Sequence, residues 1–139
     1  MSFTLQEIKD MAEKELQLTP ETAVDCSLYF CRLRSKYFNM YRNEIEILRS
    51  MNLLKDKMAA EKGHNLRTKG FNGHEIGKFK TDIETYLMLD KEYFAQLRQC
   101  LGQELKVEYL EGTITTIDKF TTSIRNYIEL KKLQLGIIN

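Results

Sequence analysis

The residues best suited to chemistry lie mid-chain, where both histidines occur near carboxylates. Glu61 and His64 form a Glu-x-x-His pair, the spacing that di-iron bundle proteins use. Such a site needs two of these pairs and further buried carboxylates, and we expect Gly63 to end the helix between them. His74 and Glu75 lie in a glycine-rich stretch with no nucleophile near them in sequence. We therefore expect no metal, no cofactor and no catalysis.

The basic residues of the chain say more about its function than these histidines and carboxylates do. Residues 62–80 carry five cationic side chains against one carboxylate, a local charge of +4 in a chain with a formal charge of +1. Lysines neutralise phosphates, and an aromatic ring such as Phe71 stacks on an unpaired base. Solvated lysines that serve only solubility fit the same pattern, and both readings stay open. The candidate DNA-binding residues are Lys55, Lys57, Lys62, Arg67, Lys69, Lys78 and Lys80.

A long helix is expected to carry the first of these residues. Residues 20–62 contain no proline after Pro20 and no glycine, while Thr19 is a good N-cap and Pro20 suits the first helical position. A rod of roughly 64 Å does not fit a globule with a radius of gyration near 14 Å, so we expect an elongated protomer that needs partners. Its apolar seam follows the coiled-coil period. The seam consists of Cys26, Phe30, Leu33, Tyr37, Tyr41, Ile45, Leu48, Met51, Leu54 and Met58.

Shorter elements flank this helix. Residues 5–17 predict an amphipathic helix, residues 63–77 an exposed, mobile loop, and residues 81–89 a short helix. Asp90 is the expected cap of a second long helix that Gly136 ends. The predicted fold class is therefore all-α, as a single domain over residues 1–139. The second helix has a comparable seam at Tyr93, Leu97, Leu101, Leu105, Val107, Leu110, Ile114, Ile117, Ile124 and Ile128.

Weak helix formers interrupt the second seam. Gly102, Gly112 and the threonine-rich run 113–122 predict either a close approach of helices or a bend. The three cysteines form no CxxC pair, which favours a reduced setting. No secretory signal and no apolar run near 18 residues occur, so we expect a chain that is neither secreted by a classical signal nor membrane-spanning.

Several short segments in this order carry a resemblance. They are residues 54–57 closing with Gly63, residues 82–87 followed by Leu89 and Asp90, residues 106–111, and residues 124–126 through Gly136. Over about Leu28 to Gly136 the chain resembles the UvsY-type recombination mediator proteins of T-even-type bacteriophages. No single segment is a signature with its own chemistry; their order and spacing carry the likeness.

The resemblance implies a specific function. Members of that family are all-helical, form closed homo-oligomeric rings, bind single-stranded DNA and load the phage RecA-like recombinase onto DNA covered by the phage single-strand-binding protein. For this chain it implies DNA binding at Lys55 and Lys57, a basic residue at Arg125, and a hexameric or heptameric ring. It further implies roles in DNA replication and repair, no enzymatic activity, and the cytoplasm of the infected bacterial host. Assembly is expected through the C-terminal helix, at Ile114, Ile117, Ile124 and Ile128.

The sequence departs from the family pattern at two places. Ala60 and Glu61 stand where relatives carry a Tyr-Tyr pair, and residues 120–122 read Phe-Thr-Thr where relatives tend to have Arg-Gly-Phe.

One alternative function is a structural coiled-coil adaptor that binds no nucleic acid. The other is a bundle enzyme with a bound metal.

Overall fold

Four helices make up the described part of the chain. The computed structural model describes residues 2–17, 26–76 and 79–136. Within these residues there is no β-strand, and the helices are α1 (Leu5–Glu15), α2 (Cys26–Lys69), α3 (Lys80–Leu87) and α4 (Lys91–Gln134). The all-α prediction is confirmed, with two long helices and two short ones. Among the helices in these ranges, none has the length and apolar composition needed to cross a membrane.

Two of the predicted helix ends are confirmed by their hydrogen bonds. The backbone N–H of Tyr93 donates to Oδ1 of Asp90 at 2.9 Å, so Asp90 caps α4 as expected. After α4 ends, Gly136 has a φ of +69°, and its N–H donates to the carbonyl of Leu133 at 3.1 Å. The predicted start of α2 at Thr19 and Pro20 lies outside the described residues.

The predicted end of α2 at Gly63 is wrong, because the helix continues to Lys69. Gly63 is buried, and a Cβ atom there would lie 3.5 Å from Cγ2 of Ile83. That distance is an ordinary van der Waals contact, so α2 passes beside α3 at Gly63 without requiring a glycine there. Gly70 ends the helix instead, with a φ of +72° and an N–H that donates to the carbonyl of Leu66 at 3.0 Å.

A tight turn replaces part of the predicted mobile loop. Phe71 and His74 exchange both backbone hydrogen bonds, at 2.8 and 2.9 Å. Asn72 and Gly73 between them have φ values of 52° and 81°, as a type I′ turn requires. Residues 71–74 thus form a minimal hairpin directly after Gly70, and the loop prediction is wrong for residues 63–69, which belong to α2.

The chain divides into two compact units. The first unit comprises Met1–Glu44 and Leu105–Asn139, and the second comprises Ile45–Glu104. In the first unit α1 packs with the beginning of α2 and the later part of α4, and the rings of Phe30 and Phe120 meet edge to face at 5.7 Å. Its buried core consists of Ile8, Ala12, Phe30, Leu33, Tyr37, Leu110, Ile117 and Ile124.

A buried charged cluster borders the core of the first unit. Glu44 is 5% exposed, and its Oε2 lies 3.4 Å from Nζ of Lys106. The hydroxyl of Ser2 donates to Oε1 of Glu44 at 2.6 Å and accepts from Lys106 at 3.1 Å. Buried ions are tolerated only when paired and hydrogen-bonded, so this cluster joins α2 to α4 at one fixed offset.

In the second unit α2 and α4 are again antiparallel, with α3 beside them. The side-chain amide of Gln96 donates to the carbonyl of Met51 at 3.2 Å, and Lys62 contacts Asp90 at 3.0 Å. Ile83 and Leu87 give α3 its buried face. The end of α2, the hairpin, α3 and the start of α4 are therefore neighbours within this unit.

Helix α4 runs without a break through its weak helix formers. No heavy atom lies within 4 Å of a Cβ built on Gly102 or Gly112, so neither glycine serves a close approach within the described chain. Five threonine hydroxyls donate to the carbonyl one turn earlier, among them Thr113 to Tyr109 at 2.9 Å. These hydroxyls are satisfied inside their own helix.

Two glycine substitutions should have opposite effects on stability. Gly70→Ala should lower the free energy of unfolding by more than about 1–2 kcal/mol, because Ala disfavours a left-handed backbone and its Cβ would lie 1.9 Å from the carbonyl oxygen of His74. Gly102→Ala should raise it by about 1 kcal/mol, since this helical position is open. Urea unfolding at one fixed protein concentration measures both, and equal effects would contradict the assigned end of α2.

Candidate nucleic-acid interface

Three of the predicted basic residues share one face of α2. Lys55, Lys62 and Lys69 follow at intervals of seven residues, which is close to two helical turns. Lys55 and Lys62 are partly buried, whereas Lys69 in the last turn is exposed. The structure therefore brings these three together as a row of ammonium groups along the second half of α2.

The other predicted basic residues lie elsewhere. Lys57 is exposed on another side of α2, where its Nζ is 4.0 Å from Oε1 of Glu61. Arg67 is also exposed, off the row. Lys80 begins α3 and lies 3.8 Å from Glu84, and Lys78 lies outside the described residues. These contacts are long and exposed, so they leave the cations accessible to an anion.

A cleft opens beside the row of lysines in the second unit. It encloses about 500 Å³, and we call it the lysine cleft. Phe71 from the hairpin and Tyr86 from α3 line it with ring centroids 5.0 Å apart. Proteins that bind single-stranded nucleic acid commonly combine cations with aromatic rings. The lining of the lysine cleft includes Lys62, Lys69, Phe71, Asn72, Tyr86 and Lys91.

Carboxylates at the start of α4 compensate one lysine of the cleft. Nζ of Lys62 lies 3.0 Å from Oδ2 of Asp90 and 3.2 Å from Oε2 of Glu92. The hydrogen bond to Asp90 raises the pKa of Lys62, and the Tyr93 N–H, followed by Lys62, lowers the pKa of Asp90. Both shifts favour the charged forms of Lys62 and Asp90.

Lys91, Tyr86 and Asn72 were not predicted as site residues. Only the fold brings α3 and the first turn of α4 next to α2, so nothing in sequence spacing indicates that they meet. One local signal was present: Asn-Gly favours a type I′ turn, which fixes the hairpin and with it the position of Phe71.

The four isoleucines predicted for assembly lie mainly inside the first unit. Ile117 and Ile124 are 0% and 3% exposed, and Ile114 and Ile128 pack partly buried against the same core. In the single chain they therefore hold α4 to its own neighbours. The exposed apolar residues near the end of α4 are instead Leu130, Leu133 and Leu135.

The Glu-x-x-His pair is not divided as expected. Since α2 continues through Gly63, Glu61 and His64 lie on one continuous helix, and both are exposed. Across residues 2–17, 26–76 and 79–136, no group of three or more His, Cys, Asp or Glu side chains is placed to hold a metal ion. The Oε1 atom of Glu61 lies 4.0 Å from Nζ of Lys57.

Asp90 allows a test of this arrangement. Asp90→Ala should lower the free energy of unfolding by about 1 kcal/mol through loss of the α4 cap, and Asp90→Asn by less, because the amide still accepts a hydrogen bond. Since folding lowers the pKa of Asp90 from 3.8, its charge stabilises the fold above that value, and the contribution is lost as the pH falls through the lower folded pKa. The difference between wild type and Asp90→Asn should therefore be present at pH 7 and shrink at about pH 3 and below. Urea unfolding at both pH values measures it, and a constant difference would contradict the charged role of Asp90.

Comparison with known proteins gives a match in structure. No protein-family model and no curated protein matches the sequence. Three crystal structures of the bacteriophage T4 recombination mediator protein UvsY do match. The first has a TM-score of 0.79 at 11% identity, over 95% of this chain and 99% of that one. Two other crystal forms give 0.80 at 14% identity over 96% and 99%, and 0.75 at 14% identity over 92% and 98%. The chain therefore has the all-α fold of the bacteriophage T4 recombination mediator protein UvsY.

Proposed function

We propose that this chain is a recombination mediator that binds single-stranded DNA as a homo-oligomer. It helps a phage RecA-like recombinase load onto DNA covered by the phage single-strand-binding protein. The observation that carries this proposal is the likeness to UvsY over 92–96% of the chain. The named activity of that protein, recombination mediation, is the function we transfer, with roles in DNA replication and repair in the host cytoplasm.

Basic residues of the second unit supply the proposed contact with DNA. Lys55, Lys62 and Lys69 form a row on α2, and Lys57, Arg67 and Lys80 extend positive charge around it. Ammonium groups on this surface neutralise phosphates and release counterions, which needs no base sequence. Lys78, outside the described residues, remains part of the proposal through its place in the sequence.

Assembly multiplies a weak contact. Linking two binding modules raises avidity by about 10²–10⁴ when geometry permits both to engage. A hexameric or heptameric ring would present six or seven copies of the basic surface to one strand. The exposed leucines at the end of α4 and the part-buried Ile114 and Ile128 support a contact between subunits there. Ile117 and Ile124 contribute by holding α4 in place.

The proposed mechanism of recombinase loading follows from the basic surface and the ring together. A strand that follows basic surfaces around a ring is bent, and bending competes with its binding by the single-strand-binding protein. The strand is then presented in an open form to the incoming recombinase. Loss of the oligomer should accordingly reduce DNA binding more than loss of any one lysine.

A structural adaptor that binds other helices is the second candidate. It is favoured by apolar side chains exposed on both long helices, such as Leu53 and Leu101, and by the carboxylates that compensate Lys62. An adaptor needs no phosphate contacts, so the two functions differ in salt-dependent binding of DNA.

Salt dependence distinguishes the two functions. A fluorescent single-stranded oligonucleotide should bind with a slope of log affinity on log salt steeper than about −2, and Lys55→Ala/Lys57→Ala should weaken both affinity and slope. Lys14→Ala/Lys119→Ala removes the same charge from exposed positions outside the basic surface and should leave both unchanged. Absence of binding at low salt would favour the adaptor.

Charge at the end of α4 should break the assembly. Leu133→Glu places a carboxylate at a side chain that is 64% exposed, and Leu53→Glu does so at 72% exposure on α2 as a control. Light scattering should show smaller oligomers for Leu133→Glu alone, with a larger loss of DNA affinity than for Lys55→Ala/Lys57→Ala. A Leu133→Glu protein that dissociates yet keeps full affinity would contradict the avidity mechanism.

A further inference from the structure

The lysine cleft combines three cations from two helices. Lys62 and Lys69 come from the last turns of α2, and Lys91 from the first turn of α4. Its volume of about 500 Å³ lies within the range of about 300–1,000 Å³ typical of ligand sites. The cleft is therefore large enough for part of a nucleotide. Asp90 also lines it, and the three cations outnumber this one carboxylate, which suits a phosphate.

Aromatic rings line the same cleft. Phe71 and Tyr86 are half-buried, with centroids 5.0 Å apart and ring planes inclined by 39°. Both backbone hydrogen bonds between Phe71 and His74 hold the first ring in the hairpin, and Asn72 adds an amide to the lining. A fixed ring loses little freedom on binding, and every base offers a face to it.

The two carboxylates at Lys62 differ in what else they do. Asp90 is 34% exposed and also accepts the Tyr93 N–H, so its place is set by the cap of α4. Glu92 is 79% exposed, and it contacts Lys62 at 3.2 Å at the end of a flexible side chain. An exposed ion pair of this kind contributes little stability, so another anion exchanges with it readily.

We propose that the lysine cleft is a nucleotide subsite for single-stranded nucleic acid, and that Glu92 occupies Lys62 in the free protein in competition with the strand. A strand phosphate takes the place of the Glu92 carboxylate at Lys62, with Lys69 and Lys91 adding charge. The neighbouring unpaired base lies against Phe71 and Tyr86. This inference rests on the proposed binding of single-stranded DNA and adds to it a defined subsite and a built-in competitor.

Removal of the competitor should strengthen binding. Glu92→Gln is expected to raise the affinity for a single-stranded oligonucleotide about two- to five-fold at low salt, as loss of an exposed ion pair allows. Glu104→Gln removes the same charge from an exposed position of α4 and should have no such effect. In Lys62→Ala the gain from Glu92→Gln should vanish, because the carboxylate then has no cation to occupy.

Removal of the Phe71 ring should weaken the contribution of the bases to binding and leave that of the phosphates unchanged. The wild-type protein should bind oligothymidylate more tightly than a backbone of equal length without bases, by about five-fold or more. Phe71→Leu should reduce this ratio, whereas Phe3→Leu, at an exposed ring outside the lysine cleft, should not. A ratio of two affinities is insensitive to a partly unfolded fraction of either variant.

The outcomes separate the subsite from the function on which it rests. If the wild-type protein does not bind single-stranded DNA at low salt, the proposed function fails and the subsite with it. If the wild-type protein binds but Glu92→Gln changes the affinity no more than Glu104→Gln does, the proposed competition by Glu92 is wrong. If Phe71→Leu leaves the base-dependent ratio unchanged, the base contact is wrong and the mediator function still stands.

Discussion

The offset between α2 and α4 in the first unit depends on one buried charge. Apolar residues repeated at about 3.5 positions pack almost equally well after a shift of seven, so seams alone define the offset weakly. Glu44 removes that freedom, because its buried carboxylate needs the ammonium of Lys106 and the hydroxyl of Ser2. A buried ion without its partner costs about 3–5 kcal/mol. The same offset brings Arg34 to Asp118 and Phe30 to Phe120.

In the second unit the candidate site depends on ordered backbone. Gly70 ends α2, and the hairpin of residues 71–74 returns the chain beside Tyr86. Cations on helices and a ring on a hydrogen-bonded turn lose less conformational entropy on binding than the same residues on a mobile loop. An ordered surface therefore needs fewer contacts for a given affinity.

Sequence alone predicted the helices better than the site. Caps act through local hydrogen bonds, so Asp90 and Gly136 could be assigned from residue type. Gly63 could not be assigned in this way, because a glycine suits a helix end but is also tolerated inside a helix, and α2 continues through it. The seam predicted that Leu101 and Leu105 are buried, but both are exposed, whereas Cys100 is buried. A side chain on a helix is buried only where a neighbouring element packs against it, and the seam does not show where that happens. The lysine cleft forms only where separate elements of the chain meet, and residue spacing along one helix does not indicate which other elements contact it.

Threonines in α4 give that helix a surface its composition does not suggest. Thr113, Thr115, Thr116, Thr121 and Thr122 each turn the hydroxyl towards a carbonyl of the preceding turn. With the hydroxyl satisfied, what each side chain offers a neighbour is largely its methyl group. A hydropathy scale that assigns these residues a water-bound hydroxyl therefore underestimates how readily this stretch of α4 gives up its solvent.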